Sequence, residues 1–339
     1  MPPKVSILVL NYNGVRFLDD CLRSLEELSY RDHEVILIDN ASTDGSVEYV
    51  KQNFPWVKLV VHDRNYGVCE GYNRSVDYTE GEYVVFLNND TRVHRDWLTE
   101  LIKAAQEHQA DICGSKMLSL DNPEIIASLG GKITPIGSGY DVGFNSKDDK
   151  DKTKEPASVG IVGSGMTLIK KRVFLDLQGF DPDYFAGVED LDLVWRAWLW
   201  GYKTIHVPSS IVYHKVGGSW GSRQSSQRIL LGQKNSLANI IKNFEFINVI
   251  KGLAISIVYN IVRIIIFLFS GKFQNILALA KGTIYFIKEL PETLKKRKVI
   301  QRNRKRTDKE LRQLGLIASL SESIAEFVRL KGVISSNQL

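Results

Sequence analysis

The sequence predicts an α/β protein whose mostly parallel sheet carries helices on both faces, followed by a helical C-terminal region. Three observations carry that prediction. Short apolar runs of strand length alternate with stretches whose apolar residues recur at helical spacing, the signature of β-α-β-α order. Three of those runs stop abruptly in loops rich in Asn and Asp. From about residue 231 the alternation gives way to long apolar and amphipathic stretches with a dense basic run.

Residues 5–10 (VSILVL) form a continuous apolar run, as a buried parallel strand does, and lead into the loop Asn11-Tyr12-Asn13-Gly14. Phe17, Leu18, Cys21, Leu22, Leu25 and Leu28 then share one face of a helix. Residues 34–38 (EVILI) give a second strand, ending at Asp39 in the loop DNASTDGS. A helix is expected over 46–53 and a third strand over 57–61. The loop Arg64-Asn65-Tyr66-Gly67 precedes a helix that runs through Asn73 to Tyr78. Residues 83–87 (YVVFL), rich in β-branched and aromatic side chains, predict a buried strand that stops at Asn88-Asn89-Asp90-Thr91. A helix over 97–109 and a strand opening at Ile112 follow.

Residues 145–158 read as a polar surface loop, and residues 159–170 resume strand character. Glu189-Asp190-Leu191-Asp192 starts an amphipathic helix. Residues 204–207 and 211–213 read as two extended segments separated by Pro208. His214 ends the second of them, ahead of a glycine-rich turn at residues 215–219.

A chain of 339 residues can bury a substantial core and suggests two domains, here 1–235 and 236–339. Cys21, Cys69 and Cys113 are widely spaced and make no CxxC pair, which suggests a reducing compartment and neither disulfides nor a zinc site. The N-terminal residues show no secretory segment, so none is expected.

In an open α/β sheet, ligands sit beyond the carboxyl ends of the strands. Right-handed crossovers would place three Asn/Asp-rich loops along one crevice. A carboxylate such as Asp90 at that edge can hold a divalent cation, which in turn can hold phosphates. Asn and Asp also favour plain turns, the simpler reading of that stretch. Acidic residues in a first helical turn favour the helix dipole. That accounts for one or two of Glu189, Asp190 and Asp192, and leaves room for a catalytic carboxylate among them.

Taken together, VSILVLNYNG, VILIDNASTDGS, RNYGVCEGYNRS, FLNNDT, GFDPDYFAGVEDLDLVWRAWLWGY and VPSSIVYH resemble the inverting glycosyltransferase family 2, with its GT-A nucleotide-sugar-binding fold. The subgroup most similar is the rhamnosyltransferase-like branch, and the resemblance covers roughly residues 4–221. It implies that Asp39 bonds the nucleotide base, with Asn11, Asn13, Asn65, Gly67 and Asn73 in the same pocket. Asn88-Asn89-Asp90 stands at the family's DxD position. Asn88 replaces the first acid there, which removes one anionic ligand and leaves Asp90 as the main one. His214 matches a later metal-site histidine, and the implied cofactor is Mg²⁺ or Mn²⁺. Asp190, with Glu189 beside it, matches the catalytic base. The implied donor is a nucleotide-diphosphate sugar, dTDP-rhamnose or a UDP-sugar, and the acceptor a glycan or lipid-linked hydroxyl. A polyprenyl-phosphate sugar synthase of the same fold is the alternative. The long region around Glu189 and Asp190 argues against it, since it suits a hydroxyl acceptor that needs a base.

In the C-terminal third, residues 253–269 are strongly apolar, 276–290 amphipathic, and 295–306 hold eight Lys/Arg without an acid. Pro291 is expected to break a helix, and residues 311–330 predict one more. Arg263 in mid-segment would cost about 2.5–3.5 kcal/mol in a spanning helix. The expected arrangement is therefore helices in the membrane interface, with the basic run on an anionic surface at the cytoplasmic face. A packing or homo-oligomerisation module is the other reading. A basic run also serves nucleic-acid binding, but no aromatic-interleaved recognition motif accompanies it, so no nucleic-acid partner is expected.

Overall fold

A computed structural model describes residues 3–149, 155–163, 166–215 and 225–336, with side chains to residue 330. The first half follows the expected alternation: β1 (Val5–Asn11), α1 (Val15–Glu26), β2 (His33–Asp39), α2 (Ser46–Asn53), β3 (Lys58–Val61), α3 (Gly67–Asn73) and β4 (Tyr83–Asn88). Next come β5 (Thr91–Val93), α4 (Trp97–Glu107), β6 (Ile112–Ser119) and four short strands, β7 (Ile126–Ser128), β8 (Gly131–Ile133), β9 (Gly139–Asp141) and β10 (Ala157–Ser158). Then β11 (Met166–Lys170), α5 (Lys171–Asp176), α6 (Glu189–Leu199) and β12 (Thr204–His214) complete the sheet region. The rest is helical: α7 (Ser226–Asn243), α8 (Phe246–Phe269), α9 (Phe273–Arg302), α10 (Asp308–Gln313) and α11 (Leu320–Ser336).

The main sheet runs β10-β12-β6-β11-β4-β1-β2-β3. It is parallel through β3-β2-β1-β4. β11 lies antiparallel between β4 and β6, so the sheet as a whole is mixed. Side chains alternate between two cores, as a strand period of two requires. Ile7, Val9, Leu37 and Val85 pack with α1, α2 and α4 on one face. Leu8, Ile36, Ile38 and Phe86 pack with α3, α5, α6 and the C-terminal helices on the other.

Several boundaries differ from expectation, each for a physical reason. The helix expected through Tyr78 ends at Asn73, and only a short 3-10 turn remains at Val76–Tyr78. The two extended segments flanking Pro208 are one strand, β12. The proline sits where the β12–β6 register shifts, a bulge that needs no proline N–H. Pro291 does not break α9, which runs from Phe273 to Arg302. Pro291 is exposed, so the helical bond it cannot donate falls on the solvent flank. The single helix expected over 311–330 is two, α10 and α11, separated where Gly315 takes φ 74°. The apolar segment is longer than its 253–269 core: α8 has 24 residues, long and apolar enough to cross a membrane, though 11% of its most apolar stretch is buried. Residues 150–154, Ser164-Gly165 and the turn at 216–219 lie outside the described residues.

The C-terminal helices share the core of the sheet region. Leu237, Ile240, Phe244, Phe286, Ile300, Leu311 and Leu316 belong to the same buried cluster as Leu8 and Phe86. Residue 235 falls inside α7, which packs along α9. Half of the basic run turns inward. Lys296 pairs with Asp181 and Asp183, Arg297 donates to the carbonyls of Ile241 and Phe244, Arg304 pairs with Asp308, and Arg306 lies over the ring of Trp198.

Candidate active site

Register brings the strand ends together. Asn11 stands opposite Asp39, and Leu10 opposite Asn88, so β1, β2 and β4 stop along one edge. Antiparallel pairing of β12 with β5 sets His214 across from Thr91, beside Asp90. His214 Nε2 is 3.2 Å from Asp90 Oδ1. The Asp90 backbone carbonyl accepts from the Lys215 N–H at 3.0 Å, which fixes the strand end.

Opposite this edge, the loop into α6 carries two successive left-handed residues, Gly187 at φ 89° and Val188 at φ 60°. Such a φ is unusual for a β-branched residue and marks a strained turn. The turn places Glu189 and Asp190 at the helix start. Asn235 and Asn239, one turn apart on α7, hold the loop. Asn235 donates to the carbonyls of Ala186 and Gly187, and Tyr184 donates to the Asn239 side chain and the Asn235 carbonyl.

A cavity of about 490 Å³ lies between these two edges, within the usual range of small-molecule sites. Asn65, Gly67, Asn88, Asn89, Asp90, Glu189, Asp190 and His214 all line it. The other four expected residues are not among those that line it. Asn11 is fully buried, donates to Asp39 Oδ1 at 2.9 Å and accepts from Asn89 at 2.6 Å. Asp39 is also fully buried, and its second oxygen accepts from the Ser42 N–H. Asn13 accepts from the Thr43 N–H and so ties the β1 loop to the β2 loop. Asn73 does not line the cavity; it donates to the Phe180 carbonyl and accepts from the Phe180 N–H.

Gly67 is required by space as well as by φ 74°, since an added Cβ would stand 2.3 Å from the Phe185 carbonyl oxygen. Asn65 accepts from the Gly67 N–H, closing the turn in front of α3. Asn40, Phe185, Arg228, Leu231 and Gly232 also line the cavity, and none of them was expected in the site from the sequence. The α7 pattern holds a trace of three: Arg228, Leu231 and Gly232 fall on one helical face.

Asp192, the third acid of the cluster, points away from the cavity. It is fully buried and bonded to Arg196 at 2.8 Å, Lys242 at 2.9 Å and Asn243 at 3.0 Å. Lys242 also pairs with Asp181. Burial would raise both carboxyls. Lys242 and Lys296 at Asp181, and Arg196 and Lys242 at Asp192, outweigh it and hold both below the usual carboxylate range. The cysteines are equally removed from chemistry. Burial pushes the thiols of Cys21 and Cys113 up to about 12, and that of Cys69 well up too.

Among the described residues no group of three His, Cys, Asp or Glu side chains could by itself hold a metal. The pair Asp90 and His214 fits a divalent cation of the kind bound by one or two protein ligands plus substrate phosphates. His214 Nδ1 is buried without a hydrogen-bond partner among the described residues, which leaves that imidazole uncommitted on one side.

The sequence model of a family described as Glycosyl transferase family 2 matches residues 6–175, half of the chain. The glycosyltransferase GlyA of Streptococcus pneumoniae is 25% identical over 221 residues, which are 63% of this chain and 30% of that protein. The chain therefore spans less than a third of that relative's length. An N-acetylglucosaminyl-diphospho-decaprenol L-rhamnosyltransferase of Mycobacterium tuberculosis is 26% identical over 67% of this chain and 80% of its own length. Among solved structures, a mannosyltransferase from Pyrobaculum calidifontis in complex with GDP-Man and Mn²⁺ superposes with a TM-score of 0.55. It covers 85% of this chain and 88% of its own at 16% identity, a likeness of fold.

Proposed function

The chain belongs to glycosyl transferase family 2, and from that premise we propose that it moves a sugar from a nucleoside diphosphate to an acceptor hydroxyl with inversion at the anomeric carbon. The observation that carries the reading is convergence. Asp90 beside His214 on one edge, and Glu189-Asp190 on the other, open on a single cavity.

Asn65, Gly67, Asn88 and Asn89 are assigned to the donor pocket, with Asn11, Asn13 and Asp39 bracing its loops, while Asn73 holds the Phe180 backbone and is not assigned to it. Asp90 and His214 would hold Mg²⁺ or Mn²⁺, which when bound offsets the charge on the departing diphosphate. Asp190 takes the proton of the acceptor hydroxyl as that oxygen attacks the anomeric carbon. Glu189, at 5% exposure, is the more enclosed of the two and supports it. One attack from the face opposite the diphosphate inverts the centre, and no bond to the enzyme forms.

The donor proposed is dTDP-rhamnose, with UDP-sugars next. Similarity to the mycobacterial rhamnosyltransferase supports that order. The acceptor is a glycan or lipid-linked hydroxyl of cell-surface polysaccharide assembly, met at the cytoplasmic face of the membrane. Calorimetry with dTDP and UDP tests the donor site. Binding should strengthen about tenfold or more with Mg²⁺ or Mn²⁺, a shift of about 1.4 kcal/mol, and Asp90→Ala should remove that dependence. Equal affinity in EDTA and in metal would sink the assignment.

A further inference from the structure

We infer that the outward face of α8 docks on an anionic lipid leaflet and sets the mouth of the cavity at that leaflet's surface. Only the cavity's role as a donor site rests on the glycosyl transfer proposed above.

The helices α7, α8 and α9 run up, down and up. Gly252, near the start of α8, packs on Ile240 near the end of α7. Ile229, near the start of α7, packs with Ala278 and Leu279 of α9, and Ile264 and Phe267 of α8 pack against the same cluster. The first turns of α7 are also the ones that line the cavity, through Arg228, Leu231 and Gly232. The end of α8 therefore stands next to the cavity.

One face of α8 is buried at Asn248, Val249, Gly252 and Ser256. The opposite face is exposed and apolar along the helix, through Ile250, Ile257, Ile261, Ile265 and Phe269. Phe269, at the cavity end, is 91% exposed, and Phe273 across the turn is 62% exposed. A helix packed along one side and apolar on the other lies in the plane of a leaflet, with its free face among the lipid chains.

Charge selects the occupant. Residues 246–288 contain Lys251, Arg263, Lys272, Lys281 and Lys288 and not one Asp or Glu. Lysines bordering an apolar stripe can lay their stems along it and hold their charges at anionic headgroups. A second copy of the chain would bring like charges together on this face.

All three native cysteines are buried, so single-cysteine variants can be labelled selectively with a polarity-sensitive fluorophore. Phe269→Cys reports the α8 end, and Gln227→Cys the exposed side of the first α7 turn. Lys51→Cys on α2 reports the far face of the sheet. With phosphatidylglycerol vesicles, the probe at 269 should blue-shift and be quenched by chain-labelled lipid. The probe at 227 should be quenched by headgroup-labelled lipid, and the probe at 51 should not respond. An unresponsive probe at 269 overturns the docking surface. A probe at 227 that behaves like the one at 51 overturns the placement of the cavity.

The double substitution I261D/F269D, at exposed positions, should cut flotation with these vesicles about tenfold or more. Its melting temperature and its binding of dTDP or UDP should stay unchanged. Flotation equal to wild type rejects the proposal. A wild-type dimer in sedimentation that this variant abolishes would assign the face to a second copy instead. Absence of nucleotide binding in the wild type would reject the donor reading alone, since the vesicle measurements do not depend on it.

Discussion

Asp190 and Glu189 are adjacent in sequence but differ in setting, and that difference assigns their roles. Asp190 is partly exposed at the cavity wall, whereas Glu189 is 5% exposed. Asp190→Asn should keep nucleotide binding and lower turnover roughly 10²–10⁴-fold, the usual scale for a lost general base. A purified variant with near wild-type turnover would move the role to Glu189. It would not move to Asp192, whose carboxylate is committed to Arg196, Lys242 and Asn243 inside the core. Sequence spacing treats the three acids alike. A helix rotates each residue by about 100° from the last, so only the packing against α7 decides which of them meets the cavity.

At the scale of elements, α7 is the part the sequence understated. Its polar face, Asn235, Asn239, Lys242 and Asn243, is buried against the loop and helix that present the candidate base. Lys242→Met would leave Asp181 and Asp192 without their shared cation. Breaking a buried pair of this kind costs about 3–5 kcal/mol, so the urea midpoint should fall sharply. An unchanged midpoint would show that Lys296 and Arg196 suffice. Asn235→Ala has a different expected effect. It frees the carbonyls of Ala186 and Gly187, loosens the strained turn, and should lower turnover more than nucleotide binding. Equal losses in both would place Asn235 in the donor pocket instead.

At the scale of the whole molecule, the C-terminal helices complete the core of the sheet region, so removing residues 236–339 should not release a folded catalytic part. It strips Leu237, Ile240, Phe244, Phe286 and Leu311 from a shared cluster. A soluble truncated protein with a cooperative melt would contradict this. The pH response is also a property of the whole. Burial pushes His206 down from 6.5 to about 3, with Lys116 adding to the shift. Between those values the unfolded chain binds a proton that the folded chain refuses, so stability falls as pH falls through that window. Asp181 and Asp192 act lower. Their stabilisation is present above the ordinary carboxylate value of 3.8 and is lost as pH drops below it toward their depressed values. His206→Leu should flatten melting temperature against pH from 6.5 to 4. It should also be neutral or stabilising at pH 7, because neither ring nitrogen has a partner among the described residues. An unchanged slope would mean that another group governs acid unfolding.

The parallel strands, their polar ends and the start of α6 at Glu189 were legible in the sequence, because they follow from local patterns: continuous apolar runs, abrupt Asn/Asp stops and acids in a first helical turn. Those patterns, together with the family resemblance, marked eight of the residues that line the cavity. The antiparallel insertion of β11, the passage of β12 and α9 through Pro208 and Pro291, and the inward turn of half the basic run were decided only in the tertiary structure. A proline is tolerated when its missing N–H falls at a bulge or on a solvent flank, and a lysine turns inward when carboxylates such as Asp181 wait there. Both conditions depend on neighbours distant in the chain or on the opposite side of a helix, and no local stretch of sequence contains them.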